Sequence, residues 1–155
     1  MDNCMVVNKP ALNLVGLHVS GPYSTFPDEA IRLQGEFLAR KHELNGNIKS
    51  TALICPYFGN EVFATYWVCY EADHLEEIPE GMVQITIPEH KYAMVACTNK
   101  RIGEGYEQIF AWMNEMKLEK HDNAPAIEVF YVDGHLEEVQ VEMLIPLKQP
   151  FEAED

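Results

Sequence analysis

The chain has 155 residues, enough for one or at most two small domains with a real core. Its 47% hydrophobic and 23% charged residues are those of a globular protein and exclude a disordered one. No apolar run approaches the roughly 18 residues of a membrane helix, and Met1-Asp2-Asn3-Cys4 lacks the basic and apolar regions of a signal peptide. The expectation is a soluble, cytoplasmic protein with no membrane partner.

Eleven basic and 25 acidic side chains leave a net charge of −14. The imbalance is lopsided: residues 1–70 carry five basic and six acidic groups, residues 71–155 six and nineteen. Such a surface repels phosphate backbones, which argues against direct nucleic-acid binding. It attracts cationic ligands or basic protein surfaces, plain acidic solubility being the simpler account. The four cysteines form no CxxC pair, and the six histidines show neither HExxH nor zinc spacing. Free thiols, no metal and no cofactor are expected. GxGxxG, GxxxxGK[ST] and GxSxG are all absent, so nucleotide binding and serine-hydrolase chemistry lack their usual signals.

In chain order, Met5–Asn8 is a short apolar strand closed by Pro10, and Asn13–Val19 a second, ending in a turn at Ser20-Gly21-Pro22. A helix starts near Pro27, with Ser24 or Thr25 as cap and Asp28 and Glu29 in its first turn. Ala30, Leu33 and Phe37 recur at helical spacing, flanked by Ile31 and Leu38, and the helix stops at Asn45-Gly46. Strands Lys49–Tyr57 and Val62–Tyr70 meet at Phe58-Gly59-Asn60. After the acidic connection Asp73–Gly81 the order recurs: Met82–Ile87, closed by Pro88, then Lys91–Thr98. A helix from about Ile102 to Leu118 carries the stripe Ile102, Tyr106, Ile109, Met113 and Met116, and Ala126–Val132 and Val139–Leu147 flank a turn at Asp133-Gly134. A shift of 78 places Pro10 on Pro88, Ile31 on Ile109 and Leu38 on Met116. The fold class is α+β: two repeats, about 5–72 and 82–148, each burying one face of a four-stranded sheet under a helix, joined in a continuous antiparallel sheet.

Two carboxylates stand out. Alternation in Ala126–Val132 puts Glu128 with Phe130 and Val132, opposite Ile127, Val129 and Tyr131. In Val139–Leu147, Glu142 lies beside Leu144, opposite the apolar face of Val139, Val141, Met143 and Ile145. A mid-strand glutamate in such company is unusual, because an unpaired buried carboxylate is costly. If the hairpin loop centres on His135, Glu128 and Glu142 are cross-strand neighbours; if it is tight at Asp133-Gly134, they are displaced along the strands. A solvated face or a nearby lysine is the plain structural account of each. The functional one is a carboxylate at the floor of an apolar pocket, suited to a cationic or hydrogen-bond-donating ligand. Candidate walls are aromatic. Tyr66 and Tyr70 cannot share a strand face with Trp67, so one set packs in the core and the other lines the opening. Tyr106 and Phe110 on the second helix, Phe130 beside Glu128 and Tyr23 in the first turn segment complete the set. A negative charge ringed by aromatic faces holds a flat lipophilic cation.

The chain resembles the GyrI-like small-molecule-binding family, the effector-binding module of AraC-type and MerR-type multidrug regulators. The resemblance is carried by Val15-Gly16-Leu17-His18-Val19-Ser20-Gly21-Pro22-Tyr23, Pro79-Glu80-Gly81, Ile127-Glu128-Val129-Phe130-Tyr131 and Val141-Glu142-Met143-Leu144-Ile145-Pro146-Leu147, within roughly Met5 to Leu147. It implies a duplicated βαββ unit with a pseudo-twofold ligand cleft between its halves, and acidic residues of the final hairpin, here Glu128 and Glu142, under cationic aromatic drugs. No helix-turn-helix flanks the domain, so a stand-alone member is expected. Three functions follow from the resemblance: a binder of lipophilic, cationic aromatic small molecules; a hydrolase of cyclopropane-bearing genotoxins; or a partner of a DNA-binding enzyme through the acidic surface, like the gyrase inhibitory protein. The hydrolase would use Glu142 or Glu128 as general base and Tyr131 or Trp67 to position the substrate.

Overall fold

The computed structural model describes residues 3–44, 48–73, 75, 77–132, 134 and 136–149. Among them are eight strands, paired antiparallel, and two helices: β1 (Cys4–Lys9), β2 (Leu12–Pro22), α1 (Asp28–Arg40), β3 (Leu53–Gly59), β4 (Phe63–Glu71), β5 (Val83–Ile87), β6 (His90–Thr98), α2 (Ile102–Glu115), β7 (Ala126–Phe130) and β8 (Gln140–Pro146). The α+β class is that expected. The chain divides into two compact units, Leu12–Ile87 and Met1–Ala11 with Pro88–Asp155.

This division cuts across the repeat read from element order. In the contiguous unit the strand order is β3-β4-β2-β5, and in the other β7-β8-β6-β1. The opening strand of each sequence repeat therefore pairs away from the strand that follows it: β1 lies along β6, Cys4 opposite Val95, and β5 along β2, Leu12 opposite Ile87. Pro10 and Pro88, each just past a strand end, remove the amide that would extend those ladders.

In the contiguous unit, Ala30, Leu33 and Phe37 of α1 are buried at the predicted spacing, and the Phe37 ring meets Tyr70 edge-on at 5.0 Å. On the solvent side, Arg32 bridges Glu29 and Glu36, each at 2.9 Å. Ser24 and Thr25 do not cap the helix. Thr25 Oγ1 donates to the Pro22 carbonyl within a short 3-10 turn, and the N-cap position is Pro27. Asn45 and Gly46 lie outside the described residues; α1 ends earlier, at Arg40, and a 3-10 turn over Lys41–Glu43 follows. Ser20-Gly21-Pro22 is strand and not turn, because β4 continues to pair with it as far as Phe63 opposite Pro22. The β3–β4 hairpin closes at Asn60, whose side-chain oxygen accepts the amides of Val62 and Phe63.

In the discontinuous unit, Gly105, Ile109 and Met113 form the buried stripe of α2, while Met116, expected in the same stripe, is exposed. The helix ends with paired bonds, Lys117 N–H to the Asn114 carbonyl and Leu118 N–H to the Met113 carbonyl, with Lys117 in the left-handed region at φ 60°. Within this unit, β8 pairs β6 on one edge and β7 on the other, and its residues from Val141 through Ile145 are buried except Glu142.

Glycine is required sterically at one strand crossing. A Cβ on Gly16 would lie 1.9 Å from the Val68 carbonyl oxygen, a backbone atom that cannot swing aside. Gly16→Ala is expected to destabilise the protein by about 2 kcal/mol or more, because relief requires moving the β2–β4 ladder. Urea unfolding checks this, and an unchanged midpoint would contradict the close approach.

Candidate ligand-binding site

The register of the last hairpin decides where the two glutamates point. Glu128 pairs opposite Met143, and Val129 opposite Glu142. Directly opposed residues of an antiparallel pair share a face and neighbours along a strand do not, so Glu128 and Glu142 project from opposite faces. The two are displaced along the strands by one residue, and not side by side as a loop centred on His135 would have set them. Asp133 and His135 themselves lie outside the described residues.

Glu128 is on the face covered by α2. Every residue of β7 is buried, Glu128 at 9% exposure included. The Tyr106 hydroxyl, one helical turn past the start of α2, donates to Glu128 Oε2 at 2.6 Å, a charge-assisted bond of the kind that lets a carboxylate be buried. The Phe110 ring stacks on Tyr106 at 6.2 Å, with 44% of Phe110 exposed. Phe130 shares the Glu128 face and is buried core. Cys97 of β6 is part of this cluster: its thiol contacts Met143 Sδ at 3.6 Å, and its acidity is weakened by burial and, secondarily, by the negative charge of Glu128. Cys97 was not singled out from the sequence. The signal that finds it is the β6–β8 ladder, which sets Cys97 opposite Val141.

Glu142 lies on the other face, half-buried between Val129 and Ala96 in its own row, with Leu144 two residues on. Val129, Ile127 and Leu144 on that face are 8%, 1% and 1% exposed. The Tyr131 hydroxyl donates to Glu142 Oε1 at 2.8 Å. Burial raises the Tyr131 phenol to about 12, helped by the hydrogen bond to Glu142 and by its charge, both of which disfavour a phenolate. Among the described residues, no lysine, arginine or histidine forms an ion pair with Glu142.

The remaining candidates belong to the contiguous unit. Tyr66 is buried beneath α1, accepts a bond from Gln34 Nε2 at 3.1 Å and stacks on Tyr57 at 6.3 Å, with Phe26 at 6.4 Å. Trp67, on the opposite strand face as alternation requires, is half-buried beside His18 and Phe58. Tyr23 is 52% exposed. Thus the structure joins Tyr106, Phe110 and Glu128, and separately Tyr131 and Glu142. None of the four cysteines is in a disulfide, and among the described residues no three metal-ligating side chains converge.

Because the folded protein keeps the Tyr131 phenol protonated to higher pH than the unfolded chain does, its stabilising contribution is complete below about pH 10 and is lost as pH rises toward 12. Glu142→Gln removes the charge and is expected to bring Tyr131 back toward its ordinary value. The check is the difference in phenolate absorbance between each background and its Tyr131→Phe counterpart. An unmoved titration would mean that Glu142 does not hold the phenol.

The sequence profile of the integron-associated effector binding protein family matches residues 5–147. The transcriptional regulator BrlR of Pseudomonas aeruginosa is 30% identical over 111 residues, 68% of this chain and 40% of BrlR, so the chain spans two fifths of that relative's length. Among solved structures, SAV2435 bound to tetraphenylphosphonium superposes with a TM-score of 0.72 at 16% identity, covering 97% of this chain and 96% of that one. An integron cassette protein from the mobile metagenome of Vibrio cholerae gives 0.69 at 11% identity, with 94% and 96% covered. At such identities the likeness is one of fold. Among the described residues, no helix is long and apolar enough to cross a membrane.

Proposed function

The chain belongs to the integron-associated effector binding protein family, and we propose on that premise that it binds lipophilic, cationic aromatic small molecules, with Glu142 supplying the opposing charge. The observation that carries this reading is a half-buried carboxylate on an apolar sheet face, oriented by the Tyr131 hydroxyl and, among the described residues, without a cationic side chain to neutralise it. A lipophilic cation suits such a place twice over. Its apolar body suits the apolar surroundings of the carboxylate, and its charge meets a group whose field is weakly screened beside low-dielectric neighbours. The exposed Tyr131 ring adds an aromatic face for the cation. Tetraphenylphosphonium, the ligand of the fold relative SAV2435, is a compound of this class.

Glu128 has a different part in this reading. Tyr106 already holds it on the helix-covered face, so it is a structural carboxylate that fixes α2 against the sheet. The function rests on charge selection by one glutamate, and titration with tetraphenylphosphonium tests it. Binding is expected in the micromolar range, about −8 kcal/mol. Glu142→Gln should weaken it by about tenfold or more, while binding of the uncharged triphenylphosphine oxide changes by less than about twofold. Equal losses for both compounds would refute charge selection. Loss of cation binding in Glu128→Gln but not in Glu142→Gln would move the site to the helix-covered face.

A further inference from the structure

Within the discontinuous unit, away from the Glu142 row, a cavity of about 350 Å³ opens among β1, β6, the end of α2 and the segment after β8. Its apolar lining comes from Val6, Leu118 and Leu147, and its polar lining is Lys91, Lys117 and Lys148 together with Glu119 and Gln149. In a chain with only eleven basic residues against 25 acidic ones, three lysines at one cavity run against the composition. Glu119 also lines it, but its contact with Lys148 is long, 4.0 Å, between exposed side chains, and so contributes little. Among the described residues, Lys91 and Lys117 have no ion-pair partner.

A second observation is independent of the charge. Lys117 occupies the left-handed position that closes α2, at φ 60°, where glycine is the unstrained residue. A side chain there is held against its backbone preference, and such strain collects where a side chain has a task. Here that side chain lines the cavity.

We propose that this cavity binds a small amphipathic anion, a monocarboxylate on an apolar chain or ring. Its carboxylate lies among Lys91, Lys117 and Lys148, and its apolar body lies against Val6, Leu118 and Leu147. The volume is at the lower end of ligand cavities and suits about ten carbons. The net negative charge of the chain does not forbid this, because screening confines its repulsion to about 8 Å at physiological salt and the lysines are nearer.

Calorimetric titration of the full chain with decanoate, with 1-decanol as the uncharged control, tests the proposal. One saturable site is expected, with decanoate bound about tenfold more tightly than decanol. Lys91→Gln and Lys117→Gly should each weaken decanoate by about fivefold or more and leave decanol within about twofold. Lys117→Gly should at the same time raise the melting temperature, because glycine relieves the left-handed residue. A purely structural lysine predicts the higher melting temperature without the loss of decanoate. Tetraphenylphosphonium binding should be unchanged in both variants, which separates this site from the cation site. Equal affinity for decanoate and decanol, decanoate binding that neither variant weakens, or no saturation with decanoate would overturn the proposal.

Discussion

Strand β8 is paired on both edges, and the phase of its two ladders decides what each face of its unit can hold. With Met143 between Val95 and Glu128, and Glu142 between Ala96 and Val129, the strand sends Val141, Met143 and Ile145 toward α2 and Glu142 and Leu144 the other way. Gly105 lets α2 close onto this arrangement, since a Cβ there would stand 2.8 Å from Met143 Sδ and 3.0 Å from Cys97 Sγ. The short bond from Tyr106 to Glu128 depends on the same closeness. A slip of one residue in β8 would exchange its faces, driving Glu142 under the helix and Met143 out of the core. The two glutamates thus differ in kind: one is compensated inside the packing, and the other is left on an apolar surface with a single phenol.

Much of the secondary structure was legible because it follows from local periodicity. Ala30, Leu33 and Phe37 on α1, and Ile109 and Met113 on α2, announce their helices by spacing alone, and the alternation around Tyr66 and Trp67 separates their faces correctly. Where local signals misled, a partner strand was the reason. Ser20-Gly21-Pro22 has turn composition, yet Ala64 and Phe63 keep β2 extended through it. Conversely, β3 begins at Leu53 and not at Lys49, where only a lone bridge from Ile48 to Ala72 and the bond from Lys49 N–H to the Glu71 carbonyl continue the pairing.

The site was legible residue by residue but not as an arrangement. That Glu128 and Glu142 were unusual followed from their apolar neighbours. Which face each took depended on a single register step, and no composition in the connecting loop fixes that step. Lys117 was invisible for a related reason. Its sequence context is an ordinary helix end, and only the backbone shows that a lysine stands where glycine would be relaxed.

The exchange of the opening strands has a consequence for how the protein is made. Of the eight described strands β1 is synthesised first, yet its partner β6 begins at His90, and the rest of that unit is finished only when β8 has been synthesised. The unit Leu12–Ile87 is contiguous and has all its strands available by mid-chain. Synthesis therefore offers a nascent order in which the middle of the chain can close upon itself while the amino-terminal strand waits with an open edge. Cutting the gene at the midpoint of its apparent duplication would sever this dependence: the first half would carry β1 without β6, and the second β5 without β2.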